Sequence, residues 1–446
     1  MRIDHIAKRE AKVGRTREMT GTKRLSLFLF TTLAALMLAA ACSAPAAAPA
    51  PTTAPAAPAK PAATTAPAAP AAPAPTTAAA APAAPAPTTA AAAAAQPTGP
   101  TIKIGFGAPT TGDQAYAGQS YANGAIMRVD EINAAGGVLG SKLQLDLLDD
   151  QADPKQGTVV AQRFADDPAV MIVIAHYNSG VTIPTMPIYN KARLAQLTVS
   201  SNPSIVQQGF DTVFRIGPND NTQGGVAANY AYKTLNLKKA VVIHDKQAFG
   251  QGVAEQFAKL FQSLGGTVTS INGITHGDTD FSAVVTKIKG EAPDSIYFGG
   301  TQVDGGLLLK QIRAQGMKQP FFSDDGLYDP GFISTAGADI AEGSYITFNL
   351  PPYDSSPALE QFAANYKKKF GQDPGSWSAR GYDAVNIAVA GIKAAGKADR
   401  DAIVKALHST TLDTMYGPVA WESNGELKNA PSFMFQVKSG KFVLLK

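Results

Sequence analysis

The feature that most constrains the fold is a regular alternation of short apolar runs with amphipathic stretches, which fills residues 101–446. Apolar runs of strand length begin at Ile102, Lys142, Val170 and Leu194, and the stretches between them carry apolar residues at helical spacing. Strands that are separated by helices typically form parallel sheets, and apolar strands are typical of sheets buried on both faces. This first part of the alternation therefore predicts a parallel sheet covered by helices.

The alternation starts again after Arg215. Four further runs of strand length begin at Lys239, Thr267, Ser295 and Pro320. The segment 358–407 has a mostly helical pattern, and these helices can complete the first half instead of forming a third domain. We therefore predict an α/β protein made of two doubly wound halves.

Residues 43–100 form a low-complexity segment that cannot contribute to this core. They contain 30 Ala, 15 Pro and 9 Thr, and Thr-Thr pairs recur every 12 residues from Thr52. Proline every few residues removes backbone donors and clashes with the preceding turn of a helix, so neither a helix nor a packed core is expected. We predict a disordered tether, which is either a plain spacer or a linker of selected length that reaches on the order of 40 Å.

The beginning of the chain has the pattern of an export signal. Residues 1–41 hold eight basic and three acidic residues, and an apolar run from Leu25 to Ala41 ends in three alanines directly before Cys42. This order is typical of a cleaved signal peptide, and an uncleaved membrane anchor is the alternative.

Cys42 is the only cysteine of the protein. The ending "LAAAC" resembles a bacterial lipoprotein signal, in which cleavage precedes a cysteine that receives a diacylglyceryl group. We therefore expect lipidation of Cys42, which would anchor residues 42–100 and the following domain to a membrane. An unmodified cysteine is the alternative.

The charge of the folded part bears on one class of partner, nucleic acids. The whole chain has a formal net charge of +4, but residues 101–446 hold 30 basic and 32 acidic side chains. A nearly neutral domain gives no support for nucleic-acid binding.

Motifs of catalysis are missing from the sequence. "GFGAPTTG" at Gly105 lacks the glycine spacing of a dinucleotide loop, and "GIKAAGKA" at Gly391 lacks the hydroxyl of a phosphate loop and follows a helical pattern. The five histidines show no metal-ligand spacing, and residues 101–446 contain no cysteine nucleophile. We therefore expect no enzymatic activity, no cofactor and no metal site.

Polar residues collect instead where predicted strands give way to helices. Ser179 follows the third strand, and Ser200, Ser201 and Asn202 follow the fourth. Ligands bind at the carboxyl ends of strands in open α/β sheets, and a helix start with a hydroxyl can hold a carboxylate. Ser179 could also be an ordinary helix cap, and the "SSNP" run could be an ordinary turn.

Five stretches resemble the periplasmic leucine/isoleucine/valine-binding protein family, the solute receptors of amino-acid ABC transporters. They are "INAAGGVLGSKLQLDLLDDQADPKQ" from Ile132, "HDKQAFGQGVAEQF" from His244, "TDFSAVV" from Thr279, "GYDAVNIAVAGIKAAG" from Gly381 and "MYGPVAWESNGELK" from Met415. The family fold has two α/β lobes joined by three crossovers and closes over its ligand by hinge motion. The resemblance implies lobe I at 101–217 and 350–427, and lobe II at 218–349 and 428–446.

The resemblance also implies a pocket for an amino acid. Ser179, Ser200 and Ser201 would meet its α-carboxylate and α-ammonium, and Asp325 in "SDDG" would pair with the ammonium. Without the resemblance, Asp325 would be taken for a solvated turn residue. The implied walls of the pocket are Tyr116, Tyr177, Phe249, Thr301 and Trp377.

The implied function is that of a monomeric, extracytoplasmic substrate-binding component of an ABC transporter. It would capture a branched-chain or other aliphatic amino acid and deliver it to membrane permease subunits. A binding protein for another small polar solute, such as an amide, urea or an aromatic acid, and a ligand-sensing receptor domain are the alternatives. The domain would lie in the periplasm or on the extracellular face, tethered through Cys42.

Overall fold

The computed structural model of the chain describes residues 97–445. The predicted signal peptide, the lipidation of Cys42 and the tether concern residues outside this range. Within 97–445, no helix combines the length and the apolar character needed to cross a membrane.

Two sheets organise the described chain. The first has five parallel strands in the order β2-β1-β3-β4-β5, and the second has seven in the order β14-β13-β10-β9-β8-β6-β7, parallel except around β13. A small hairpin pairs β11 with β12. The strands are β1 Gly99–Ala108, β2 Ser141–Asp149, β3 Val170–Ala175, β4 Ala195–Thr198, β5 Val213–Arg215, β6 Lys239–His244, β7 Thr267–Gly273, β8 Ser295–Gly299, β9 Phe321–Ser323, β10 Tyr345–Phe348, β11 Leu412–Thr414, β12 Gly417–Val419, β13 Phe433–Lys438 and β14 Lys441–Leu444.

Twelve α-helices are found in the described range, most of them connecting successive strands. They are α1 Ala115–Ala134, α2 Pro154–Asp166, α3 Ser179–Lys191, α4 Asp220–Asn229, α5 Ala248–Ser263, α6 Ser282–Glu291, α7 Gln302–Ala314, α8 Pro330–Ala336, α9 Ala338–Ala341, α10 Pro357–Phe370, α11 Ser378–Ala395 and α12 Arg400–Ser409. We call the first sheet and the helices packed on it lobe I, and the second sheet with its helices lobe II.

Each sheet is buried on both faces, as the apolar strands predict. In lobe II, Val241 and Ile243 pack with α6 and α7 on one face, whereas Ala240 and Val242 pack with α4 and α5 on the other. In lobe I, α1, α11 and α12 cover one face and α2 and α3 cover the other. The predicted fold class, two doubly wound α/β halves, is confirmed.

Two glycines bring α11 close to α1, and this contact positions the start of α11 at the cleft. A Cβ at Gly124 would lie 1.7 Å from the carbonyl oxygen of Ser378, and one at Gly381 would lie 1.8 Å from that of Tyr121. Any side chain at these positions would force the helices apart. The helices α11 and α12 thus pack on the sheet of lobe I.

The chain passes between the lobes three times: after β5, after β10 and before β13. Aromatic rings fill the region beside these passages: Tyr328 stacks on Phe348 with ring centroids 3.9 Å apart, and Phe348 meets Trp377 edge-on at 5.4 Å. The residue bounds of the lobes implied by the resemblance stay a prediction. Strands β5 and β10, of three and four residues, were not predicted.

Candidate ligand-binding cleft

A cleft between the lobes collects most of the residues named from the sequence. It contains about 500 Å³ of space outside protein atoms, including its opening to solvent. Eight of the nine predicted ligand-binding residues line it: Tyr177, Ser179, Ser200, Ser201, Phe249, Thr301, Asp325 and Trp377. They come from the carboxyl ends of β3, β4, β6, β8 and β9 and from the start of α11, where a ligand of an open α/β sheet binds.

The junction between β3 and α3 presents Ser179 to the cleft. Asn178 is the N-cap residue and Ser179 is the first helical residue, so the alternative that Ser179 merely caps the helix is wrong. Its Oγ accepts a hydrogen bond from the Asn202 backbone N–H at 3.3 Å, which leaves the hydroxyl proton free to donate. The first-turn N–H groups of Ser179 and Gly180 have no partner among residues 97–445, so this helix start can bind an anion.

The hydroxyl of Ser200 faces the protein interior rather than the cleft space. It lies 2.7 Å from Thr182 Oγ1 and donates to the Tyr177 carbonyl oxygen at 3.1 Å, and the side chain is buried. Ser200 therefore fixes the β4 loop against the start of α3. Its neighbour Ser201 also lines the cleft, and the Ser201 carbonyl oxygen accepts from the Asp220 N–H at 2.9 Å.

Arg215, the last residue of β5, holds this loop from behind. Its side chain is fully buried, its Nη1 donates to the Ser200 carbonyl oxygen, and its Nη2 donates to the Asn202 carbonyl oxygen at 2.9 Å. Its charge is paired with Glu426 at 3.0 Å. This role of Arg215 could not be predicted from the sequence, because a buried arginine has no local pattern.

Two neighbouring carboxylates in "SDDG" have different roles. Asp324 is fully buried and accepts from the backbone N–H groups of Gly300 and Gly326, both at 3.0 Å, so it shapes the loop. Asp325 lines the cleft, where one of its oxygens accepts from Gln223 Nε2 at 3.1 Å and from Asn349 Nδ2 at 3.0 Å. Its other oxygen makes no hydrogen bond to residues 97–445.

The alternative that Asp325 is a solvated turn residue is therefore wrong, since it is only 7% exposed. Burial raises the pKa of Asp325 to about 7, against the hydrogen bonds from Asn349 and Gln223, which favour the ionised form. A buried carboxylate with one free oxygen is suited to pair with a cationic group that enters the cleft.

Aromatic rings form the apolar part of the cleft. Tyr177 and Trp377 meet edge-on with centroids 5.0 Å apart, and Phe249 reaches in from the start of α5. Tyr116 is the one predicted residue that is not part of this lining, and the residue is 44% exposed. Because α1 begins at Ala115, the positions that face the cleft are Gln114 and Ala117, three residues apart on one side of the helix.

Several polar residues of the cleft were missed in the sequence: Gln114, Asn178, Gln302 and Asp329. Gln114 accepts from Asn178 Nδ2 at 2.7 Å, and the Gln302 amide donates across the cleft to the Asp113 carbonyl oxygen at 2.6 Å. Asp329 caps α8 through the Gly331 N–H. They follow no motif, and only their position beside a strand end could have identified them. The buried hydroxyl of Thr301 has no hydrogen-bond partner within 97–445, so it is free for a ligand.

Comparison with known proteins places the chain in a family. The sequence model of the family described as periplasmic binding protein matches residues 101–441. The Leu/Ile/Val-binding protein homolog 1 of Brucella abortus (strain 2308) is 35% identical over 341 residues, which cover 76% of this chain and 91% of that protein. The leucine-, isoleucine-, valine-, threonine- and alanine-binding protein of Pseudomonas aeruginosa PAO1 is 35% identical, covering 74% of this chain and 88% of that protein.

A solved structure supports the same family assignment. The branched-chain amino acid transporter substrate-binding protein of Streptococcus pneumoniae, in complex with isoleucine, superposes with a TM-score of 0.70 at 25% identity and covers 77% of this chain and 100% of that chain. The match to the family model, the shared fold and the 35% identity to the two relatives lead to one conclusion: the chain belongs to the periplasmic binding protein family, in the group of the Leu/Ile/Val-binding protein homologues.

Proposed function

We propose that the protein is the extracytoplasmic substrate-binding component of an ABC transporter and that it captures an aliphatic amino acid, of the branched-chain class, between its lobes. The observation that carries the proposal is the pairing of two sites that line one cleft. The free N–H groups at the start of α3 suit a carboxylate, and the free oxygen of Asp325 suits an ammonium group. The names of the Brucella and Pseudomonas relatives and the isoleucine in the Streptococcus structure support this ligand class.

In this proposal lobe I binds the α-carboxylate. Ser179 contributes its hydroxyl and its backbone N–H, and Gly180 contributes a second N–H from the first turn. The partial positive charge at a helix start favours an anion there. The described residues that line the cleft include no lysine or arginine, so the carboxylate is held by dipoles and hydroxyl groups.

Lobe II binds the α-ammonium through Asp325, and Thr301 adds a hydroxyl group. Burying an ammonium group without a partner is prohibitive, so a paired carboxylate is required. Hydrogen bonds to charged groups contribute about 1.5–3 kcal/mol each, and several of them, less the cost of closing the lobes, correspond to about micromolar affinity. The rings of Tyr177, Phe249 and Trp377 remain for the apolar side chain.

Two serine substitutions distinguish a residue that binds the ligand from one that only stabilises the loop beside it. Ser179→Ala is expected to weaken leucine binding about 10- to 100-fold, because one hydrogen bond to a charged group is lost. Ser200→Ala should lower the free energy of unfolding by about 1 kcal/mol with little change in affinity, because its hydroxyl bonds inside the protein. Calorimetric titration and thermal unfolding of both variants check this, and equal losses of affinity would contradict the assignment.

Affinity is expected to depend on pH through Asp325. Its pKa is about 7 in the ligand-free protein, and a bound ammonium would lower it, so binding below pH 7 must release a proton. The dissociation constant for leucine should therefore rise by about tenfold per pH unit below pH 7. Titrations at pH 6 in two buffers of different ionisation enthalpy measure the released proton. Asp220 and Asp245 also have a pKa of about 7. The proton release that remains in Asp325→Asn measures the contribution of these two residues.

We also propose that the lipidated Cys42 anchors the domain to the membrane, beside the permease it serves. The signal-like leader and the Ala/Pro/Thr tether support this arrangement. In cells, Cys42→Ser is expected to move the protein from the membrane fraction to the soluble extracytoplasmic fraction. A variant that stays in the membrane fraction would instead indicate that the apolar leader remains as an anchor.

Native mass spectrometry of the purified chain tests the proposed ligand class without assuming a ligand. We expect a bound mass equal to that of leucine, isoleucine or valine, which disappears after refolding and dialysis. A bound mass that matches an aromatic acid, an amide or urea would favour the alternative solute classes.

A further inference from the structure

We propose that Asp245, His276 and Asp304 form a binding site for a divalent transition-metal cation of the Zn²⁺ type, at the lobe II side of the cleft and separate from the amino-acid site. One potential ligand atom from each residue lies within 4.8 Å of the other two. The inference goes beyond the proposed amino-acid binding and does not depend on it.

The topology of lobe II assembles this cluster. Asp245 directly follows β6, His276 follows β7, and Asp304 lies in the first turn of the helix after β8. These three strands are neighbours in the sheet, in the order β8-β6-β7, and they are parallel. Their carboxyl ends therefore converge, although the residues are about 30 positions apart in the sequence, where histidine spacing predicts no metal site.

Asp245 is the observation that points to a ligand. Its side chain is fully buried, and its Oδ1 accepts from the Gln247 N–H at 2.8 Å. Its Oδ2 is buried and has no hydrogen-bond partner among residues 97–445. A buried carboxylate oxygen without a donor is costly, and a cation shared with its neighbours His276 and Asp304 would satisfy it.

The donor set fits a transition-metal cation. His276 Nδ1 lies 2.6 Å from Asp304 Oδ2, so an imidazole nitrogen and carboxylate oxygens face one another. Zn²⁺ accepts both ligand types at about 2.0–2.2 Å, whereas Ca²⁺ prefers oxygen ligands alone. Asp304 raises the pKa of His276 to about 9, so the cation has to displace the proton that these two residues share.

A solvent-connected cavity gives access to the cluster. It contains about 810 Å³ of space outside protein atoms, and Asp113, Asp153, Asp245 and His276 line it. The described residues of its lining include three carboxylates and no lysine or arginine. Phe249 and Thr301 line both this cavity and the amino-acid cleft.

Lobe I adds a further carboxylate beside the cluster of Asp245, His276 and Asp304. His276 Nε2 lies 3.8 Å from the carboxylate of Asp113, which belongs to lobe I. A histidine that binds a metal through one ring nitrogen usually donates the other N–H to a carboxylate, and Asp113 is placed for that role. A cation on Nδ1 would therefore strengthen a contact that joins the two lobes, next to the bond from Gln302 to the Asp113 carbonyl oxygen.

The test is a calorimetric titration of the chelator-treated full chain with Zn²⁺ alone, in the absence of any amino acid. We expect one Zn²⁺ per chain, at least about 100-fold weaker binding for His276→Ala and for Asp245→Asn, and about 10-fold weaker binding for Asp113→Asn. His408→Ala is the control, because His408 lies on α12 of lobe I, where its Nε2 bonds to the Asp211 carbonyl oxygen and its ring packs against Phe214. This variant should bind Zn²⁺ as the unaltered chain does.

The proposal is overturned if no stoichiometric Zn²⁺ binding occurs, or if His276→Ala and Asp245→Asn both bind Zn²⁺ as the unaltered chain does. Equal Ca²⁺ binding by the unaltered chain and His276→Ala, without Zn²⁺ preference, would also overturn it, since the site would then consist of carboxylates alone. Leucine titrations of both variants show that they are folded. If the unaltered chain does not bind leucine, the proposed function is refuted, but the conclusion about Zn²⁺ binding is unaffected.

Discussion

Asp325→Asn is expected to weaken leucine binding by at least about 100-fold. The asparagine keeps the shape of the side chain, and its oxygen can still accept from Gln223 and Asn349. Only the negative charge is lost, which leaves the buried ammonium group unpaired at a cost of about 3–5 kcal/mol. Calorimetry with leucine, isoleucine and valine measures the effect.

The same substitution should stabilise the ligand-free protein at pH 8. The pKa of Asp325 is raised from 3.8 to about 7 on folding, so its contribution to stability is fully present below pH 3.8 and is lost as the pH rises through 7. Removing the ionised carboxylate therefore raises the melting temperature at pH 8, which shows that lost binding does not come from misfolding.

Asp329→Asn is the matched control, because Asp329 is a second carboxylate of the cleft and asparagine can still cap α8. We expect a smaller loss of affinity than for Asp325→Asn. If Asp329→Asn abolishes binding and Asp325→Asn does not, the ammonium site has been assigned to the wrong carboxylate.

Arg215→Ala is expected to lower the free energy of unfolding by about 3–5 kcal/mol. The substitution leaves the Ser200 and Asn202 carbonyl oxygens without their donors and Glu426 without its partner in a buried region. It also frees the β4 loop that supports the start of α3. Urea unfolding followed by circular dichroism measures the loss.

Arg193→Ala provides the comparison for Arg215→Ala. Arg193 also pairs with carboxylates, those of Asp211 and Asp401 at 2.7 Å, but its side chain is about one third exposed. Exposed ion pairs contribute about 0–1 kcal/mol, so a small effect is expected. Similar losses for the two arginines would contradict the view that burial makes Arg215 the support of the loop.

The fold was predictable because it depends on repeated, local signals. Apolar runs separated by amphipathic stretches predict each long strand. The family resemblance, which the comparisons confirm, implied that two lobes are joined by three crossovers. The segment "GIKAAGKA" ends α11, with Gly396 in a left-handed conformation at the helix end, as its position after a helical pattern predicts. Strand β5 was not predicted, because its three residues, Val-Phe-Arg, end in a charged residue and do not form an apolar run.

Ser179 could be predicted from its place between a strand and a helix, whereas Asp325 was named only through the family resemblance. Tyr116 does not line the cleft because α1 begins at Ala115, so that Gln114 and Ala117 face the cleft instead, and the orientation of a side chain depends on this register. The roles of Arg215 and of the Asp245, His276 and Asp304 cluster depend on contacts between distant segments, which a single sequence does not contain.

Titration calorimetry of the ligand-free protein against the twenty amino acids, at pH 8, tests the central claim most directly. We predict one site per chain, with saturable heat for leucine, isoleucine or valine and a dissociation constant in the micromolar range. Flat titrations for all twenty amino acids, together with heat from an aromatic acid, an amide or urea, would contradict the proposed substrate class.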